Sequence, residues 1–75
     1  MEKVKMIVRV YSVFGEGIKL IDTEGNIYNW FTKSYTSPLY SADNDERFEI
    51  SAMKYTYDHP TPKKGLKYVR VLKRI

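Results

Sequence analysis

Seven Tyr, three Phe and one Trp are interleaved with thirteen Lys and Arg in a chain of 75 residues. Rings and cations in that mixture suit a surface that stacks flat groups and neutralises phosphates. Tyr lies flat against bases, and each stacked base contributes about 1–3 kcal/mol. Cations among the rings hold a charged backbone in a salt-dependent way. Two stretches concentrate the mixture: Tyr28, Trp30, Phe31 and Lys33 in one, Lys54, Tyr55 and Tyr57 in the other. A third stretch, 58–65, carries Lys63 and Lys64 as a basic finger, with Lys67 and Arg70 behind it. The expected binding set is therefore Tyr28, Trp30, Tyr55 and Tyr57 for stacking, with Lys33, Lys54, Lys63, Lys64, Lys67 and Arg70 along the backbone of the ligand. Phe31 and Phe48 are expected in the core, and Trp30 is open to either role.

Catalytic chemistry finds little to work with. Neither a phosphate-cradling Gly loop nor a nucleophile motif is present. Asp43, Asp45 and Glu46 cluster, but without the spaced carboxylates, Gly and closing Glu of a calcium loop they read as a solvated surface. His59 is the sole His and stands in a Pro-flanked loop, and without Cys there are no thiolate ligands or disulfides. The expectation is a protein that is not an enzyme and takes no cofactor or metal.

Charge is distributed unevenly. Residues 53–75 set seven Lys and Arg against a single acid, Asp58, whereas residues 14–52 set three basic residues against seven acids. A net charge of +4 with a cationic C-terminal third fits a polyanion or an acidic protein as partner. A chain this short buries only about 60% of its unfolded surface, so its core is thin and a deep cleft is hard to build. No stretch approaches the roughly 20 apolar residues of a membrane span, and the charged N-terminal run reads as a strand rather than a signal peptide. With no Cys, a cytoplasmic location is expected.

Five strands must position these groups. Val4, Met6, Val8 and Val10 alternate with Lys3, Lys5 and Arg9, the period of a half-buried strand over 3–13. A short strand over 18–22 and another over 27–34 flank Thr23-Glu24-Gly25-Asn26, a hairpin signal. Residues 35–46 read as a loop with room for one helical turn after Pro38. A fourth strand over 47–57 carries Phe48, Ile50 and Ala52 on one parity and Met53, Tyr55 and Tyr57 on the other, with a bulge expected near 52–54. Two Pro and a Gly argue against a strand over 58–65, and a fifth strand follows over 66–75. One all-β domain of residues 1–75 results, a small five-stranded OB-like barrel, with an SH3-like barrel as the alternative.

The run Asp22-x-x-Gly25-Asn26-x-Tyr28-x-Trp30-x-Thr32 resembles the strand 2–3 hairpin of small OB-fold modules in phage and mobile-element replication proteins. Phe48-x-Ile50-x-Ala52-Met53-Lys54, the basic loop and Tyr68-Val69-Arg70-Val71 are similar to their last two strands. Met53 and the two Pro of 58–65 depart from that pattern. The resemblance implies single-stranded DNA binding in DNA replication, with RNA as the variant ligand and a replication protein as a further partner. So many rings in so small a chain also admit a homodimer. The rival expectation is a protein-interaction module, a subunit or inhibitor that docks through an aromatic patch.

Overall fold

Alternating Val and Lys at the N-terminus produce a strand long enough to serve two neighbours. In the computed structural model, which describes residues 1–75, β1 spans Glu2–Phe14, β2 Gly17–Asp22, β3 Ile27–Phe31, β4 Phe48–Asp58 and β5 Pro62–Arg74. The first half of β1 pairs antiparallel with β4 and the second half with β2, and Val8 is opposite both Phe48 and Asp22. The β2–β3 and β4–β5 hairpins are antiparallel, and a short parallel contact, Asn29 to Gly65 and Trp30 to Leu66, closes the ring. The strand order β1-β2-β3-β5-β4 forms a closed barrel. Because β5 lies between β3 and β4, this is the OB-like arrangement rather than the SH3-like one.

Each strand contributes its apolar parity to one interior. Val8, Val10, Ile18, Leu20, Tyr28, Trp30, Phe48, Ile50, Ala52 and Leu66 are buried there. Each fully buried aliphatic or aromatic side chain stabilises by about 1.5–3 kcal/mol. Leu39 adds a fully buried side chain from a 3-10 turn, Pro38–Tyr40, the only helical turn in the connection from β3 to β4. Ser37 caps that turn, its hydroxyl accepting the Leu39 N–H at 3.3 Å. The Tyr40 hydroxyl donates to the Thr32 carbonyl at 2.8 Å, tying the turn to the end of β3.

Three local expectations need correction. The third strand stops at Phe31 rather than running to residue 34, because the Thr32 hydroxyl takes the Ser34 N–H in a local turn that competes with ladder pairing. The stretch 58–65 is not a loop: only 59–61 turn, and β5 begins at Pro62, a first strand position where a missing N–H costs nothing. The ladder does shift near 52–54, at Ala52, but the extra residue of that bulge is on β5 rather than on β4. Ser51 pairs with Arg70 and Met53 with Lys67, so Tyr68 and Val69 together face Ala52. The extra residue rephases the strand. Leu66 points into the barrel, and Val69 and Val71, not Tyr68 and Arg70, pack against the core beyond it.

Candidate nucleic-acid interface

Strand alternation decides which side chains reach the outer wall of β2, β3, β5 and β4. Ile18 and Leu20 point inward, so Lys19 points out; Tyr28 and Trp30 point inward, so Asn29 and Phe31 point out. This overturns two expected stacking residues. Tyr28 is only 4% exposed and Trp30 7%, both seated in the core, so neither offers a ring face to a ligand. It also overturns the expected burial of Phe31, which is 46% exposed, while Phe48 is in the core as expected.

The outward rings form a continuous strip. Phe14 meets Phe31 edge-on with ring centres 5.8 Å apart, Phe31 meets Tyr57 at 5.8 Å, and Tyr57 meets Tyr55 at 5.8 Å. Gly65 makes room for the strip's end. The Tyr55 ring lies directly over it, and a Cβ at Gly65 would come within 2.5 Å of the ring. Register puts Gly65 opposite both Tyr55 and Asn29, so the absence of a side chain on β5 lets residues of β4 and β3 meet across it. There the Asn29 amide donates to the Tyr57 hydroxyl oxygen at 2.6 Å, leaving the Tyr57 O–H free to donate outward. Asn29 Oδ1 is buried and has no partner, an unmet acceptor beside the rings. Burial pushes the Tyr55 phenol above its ordinary 10.0, with Tyr57 adding to the effect, so both its ring and its hydroxyl stay neutral at physiological pH.

Cations border the strip. Lys19 lies 5.9 Å from the centre of the Phe14 ring and Lys67 5.4 Å from that of Tyr55, cation–π distances that keep the ammonium groups at the ring faces. Lys63 is opposite Tyr57 in the hairpin register, and Lys33 is exposed just beyond Phe31. Lys19, Lys63 and Lys64 line an open cleft with Asn26 and Asn29 between the two hairpin ends. Across that cleft Lys64 Nζ donates to Asn26 Oδ1 at 2.6 Å. The acids near this wall are Glu16, in the β1–β2 turn beside Phe31, and Asp58 at the end of β4.

Six of the ten expected residues therefore share this wall: Lys33, Tyr55, Tyr57, Lys63, Lys64 and Lys67. Lys54 does not. It continues the parity of Phe48, Ile50 and Ala52 at the barrel's end, and its ammonium lies 3.6 Å from the Glu2 carboxylate. Arg70, opposite Ser51, is exposed on the adjoining wall. The reading of the sequence missed Phe14, Lys19, Asn29 and Phe31 as members of the site. A signal existed for three of them. Lys19 separates two apolar residues, and Asn29 shares the parity of Phe31 with Lys33, which marks that face as the polar one.

The β2–β3 turn that frames the cleft is organised by Asp22. Its Oδ1 accepts the N–H groups of Glu24 and Asn26, both at 2.9 Å, and its Oδ2 accepts from the Asn26 amide and the Tyr28 hydroxyl, both at 3.2 Å. Burial works against ionisation here, but these hydrogen bonds outweigh it and hold the Asp22 carboxyl below its ordinary 3.8. Gly25 takes the left-handed conformation, φ 86°, that the turn requires. In the acidic run 43–46, Glu46 holds the loop together. Glu46 accepts from the Asp43 N–H at 3.2 Å and from Arg74 at 3.1 Å, and no group of three or more His, Cys, Asp or Glu stands together as a metal site. No helix is long and apolar enough to cross a membrane. Compared with protein-family models, curated proteins and solved structures, the chain matches none of them.

Proposed function

We propose that this protein binds single-stranded nucleic acid, in the first place DNA, without catalysing a reaction. The observation that carries the reading is the strip Phe14–Phe31–Tyr57–Tyr55 on one outer wall, with Lys19, Lys33, Lys63 and Lys67 around it. Bases splayed from a single strand stack on Phe31, Tyr55 and Tyr57, and their phosphates run along the lysines. The wall includes the β2–β3 face and is flanked by the β1–β2 and β4–β5 turns, the region through which OB barrels take oligonucleotides. Stacking and phosphate contacts carry little base identity, so binding is largely sequence-tolerant. A duplex hides its ring faces and cannot use the strip.

Fluorescence anisotropy with a labelled oligothymidine, its RNA counterpart and a duplex of the same length tests this. The expected result is saturable binding of the single strands at low salt and weak, purely salt-dependent binding of the duplex. No binding of any single strand at protein concentrations on the order of 10 μM, at low salt, overturns it, since even non-specific electrostatic association reaches that range.

A further inference from the structure

The β5 bulge places a bulky residue where the backbone asks for a small one. Tyr68 has φ 56°, the left-handed region, and it is the only non-glycine residue of the chain at positive φ. Bulges of this kind ordinarily put Gly there, because a Cβ is disfavoured in that conformation. Rephasing the core explains the extra residue but not its identity, since Gly would rephase β5 equally well. The Tyr68 side chain returns nothing to the core: it is 76% exposed, the most exposed aromatic of the chain. A strained position occupied by an outward ring points from an observed outlier to a function.

What surrounds Tyr68 is cationic. Lys67 Nζ lies 5.7 Å from the Tyr68 ring centre and 5.4 Å from that of Tyr55, so one ammonium bridges this ring and the end of the strip. A shallow pocket beside Tyr68 is lined by Lys3, Ser51, Met53 and Arg70, with no carboxylate among its walls. Lys5 is the cross-strand neighbour of Ser51 and extends the basic surface along β1. The acids nearest in register stand at its two ends, Glu2 held by Lys54 and Glu49 opposite Lys73.

We infer that this second wall, on β1, β4 and β5, is a further nucleotide station for the same strand. A single strand leaving the strip at Tyr55 crosses Lys67, stacks a base on Tyr68 and sets its phosphates against Arg70 and Lys3. The inference rests on the proposed function, because a strand must first occupy the strip. It assigns to Tyr68, Arg70 and Lys3 a site that lengthens the occluded strand and leaves the short-oligonucleotide site unchanged.

The test compares oligothymidines of about 4 and 12 nucleotides, the range one OB barrel covers, on the full chain and on Tyr68→Gly. The wild-type protein is expected to prefer the longer strand by about tenfold beyond the statistical gain from its length, the scale of one stacked base. Tyr68→Gly should remove most of that preference, leave the short strand's affinity within about twofold, and raise the melting temperature, because Gly adopts the left-handed conformation without strain. The paired variant Lys3→Gln, Arg70→Gln, which leaves the bulge intact, should weaken the longer strand alone and flatten its salt dependence. If both strands bind and neither variant changes the difference between them, or if Tyr68→Gly weakens both equally, the second station does not exist while the strip remains. If neither strand binds the wild-type protein, the proposed function and this inference fail together.

Discussion

The division of labour between adjacent rings on β3 can be separated by mutation. Phe31 is half exposed in the middle of the strip, whereas Trp30 beside it is buried. Phe31→Ala should reduce oligothymidine affinity about tenfold, within the range expected for one stacked base, while shifting the melting temperature little. Trp30→Phe should do the reverse: affinity within about twofold, but a stability loss on the order of 1–2 kcal/mol from the underfilled core. Anisotropy and thermal melts on both variants check this, and an exchange of the two phenotypes would remove the strip as the binding surface. Asp22 supplies a pH signature at the same scale. Its folded-state carboxyl is held below 3.8, so its contribution is fully present above that value and is lost as pH falls through the lower, folded value. Wild-type stability should therefore decline in acid below about pH 4 more steeply than that of Asp22→Asn. The variant keeps the shape, loses the charge-assisted hydrogen bonds, and starts about 2 kcal/mol less stable at neutral pH. Denaturant melts across that range, showing parallel curves for the two proteins, would refute the assignment.

Among the elements, β5 does the most to build the surface, and it does so through two backbone departures. Gly65 lowers the strand surface so that Tyr55 can lie over it and Asn29 can reach Tyr57, and the bulge turns Tyr68 outward while Val69 and Val71 rejoin the core. Gly65→Ala would drive a methyl into the far end of the Tyr55 ring, a flexible contact that can swing aside. The expected outcome is a fold of nearly unchanged stability, since Ala in a strand offsets strain by restricting the unfolded chain, together with a fivefold to tenfold loss of oligonucleotide affinity, on the order of one weakened stacking contact. Unchanged affinity in a folded Gly65→Ala protein would show that Tyr55 does not stack. Both departures were hard to read along the chain. Gly65 stands among Pro and Lys residues that suggest a loop, and Tyr68 stands in an alternating run whose parity appears unbroken. The need for each arises from β4 and β3, residues distant in sequence that meet β5 only after closure.

The whole molecule separates its charges, and this gives the proposed binding a salt dependence of predictable size. Of the seven acids of 14–52, Asp22 is engaged in its turn and Glu46 with Arg74 and the Asp43 N–H, while the backbone carbonyl of Asn44 in the same loop accepts from Arg9 at 3.3 Å. The lysines of the binding wall keep their charge free for a ligand, apart from the cation–π contacts and the Lys64–Asn26 hydrogen bond. Four phosphate contacts to a single strand correspond to a slope of about −3 in log affinity against log salt. Titrations over a range of salt concentrations should give that value, and a slope near zero would indicate a partner that is not a polyanion. The barrel itself is closed by only two parallel pairs between β3 and β5, so that seam depends on buried Trp30 and Leu66 more than on ladder hydrogen bonds.

By itself the sequence determined the all-β class, the five strands, the β2–β3 hairpin around Gly25, the turn after Pro38 and the concentration of cations toward the C-terminal third. Each follows from local signals: period-two alternation, residues that tolerate a turn, and composition. Only the tertiary structure decided which side of β3 faces water, because Tyr28 and Trp30 are amphipathic enough for either face, and the choice depends on Leu20 and Leu66, their buried partners on the neighbouring strands, and on the rest of the core. It also decided that Phe14, Phe31, Tyr57 and Tyr55 make one strip, since β1, β3 and β4, with β2 and β5 between them, must be joined in one closed sheet before their outer faces can form a common surface.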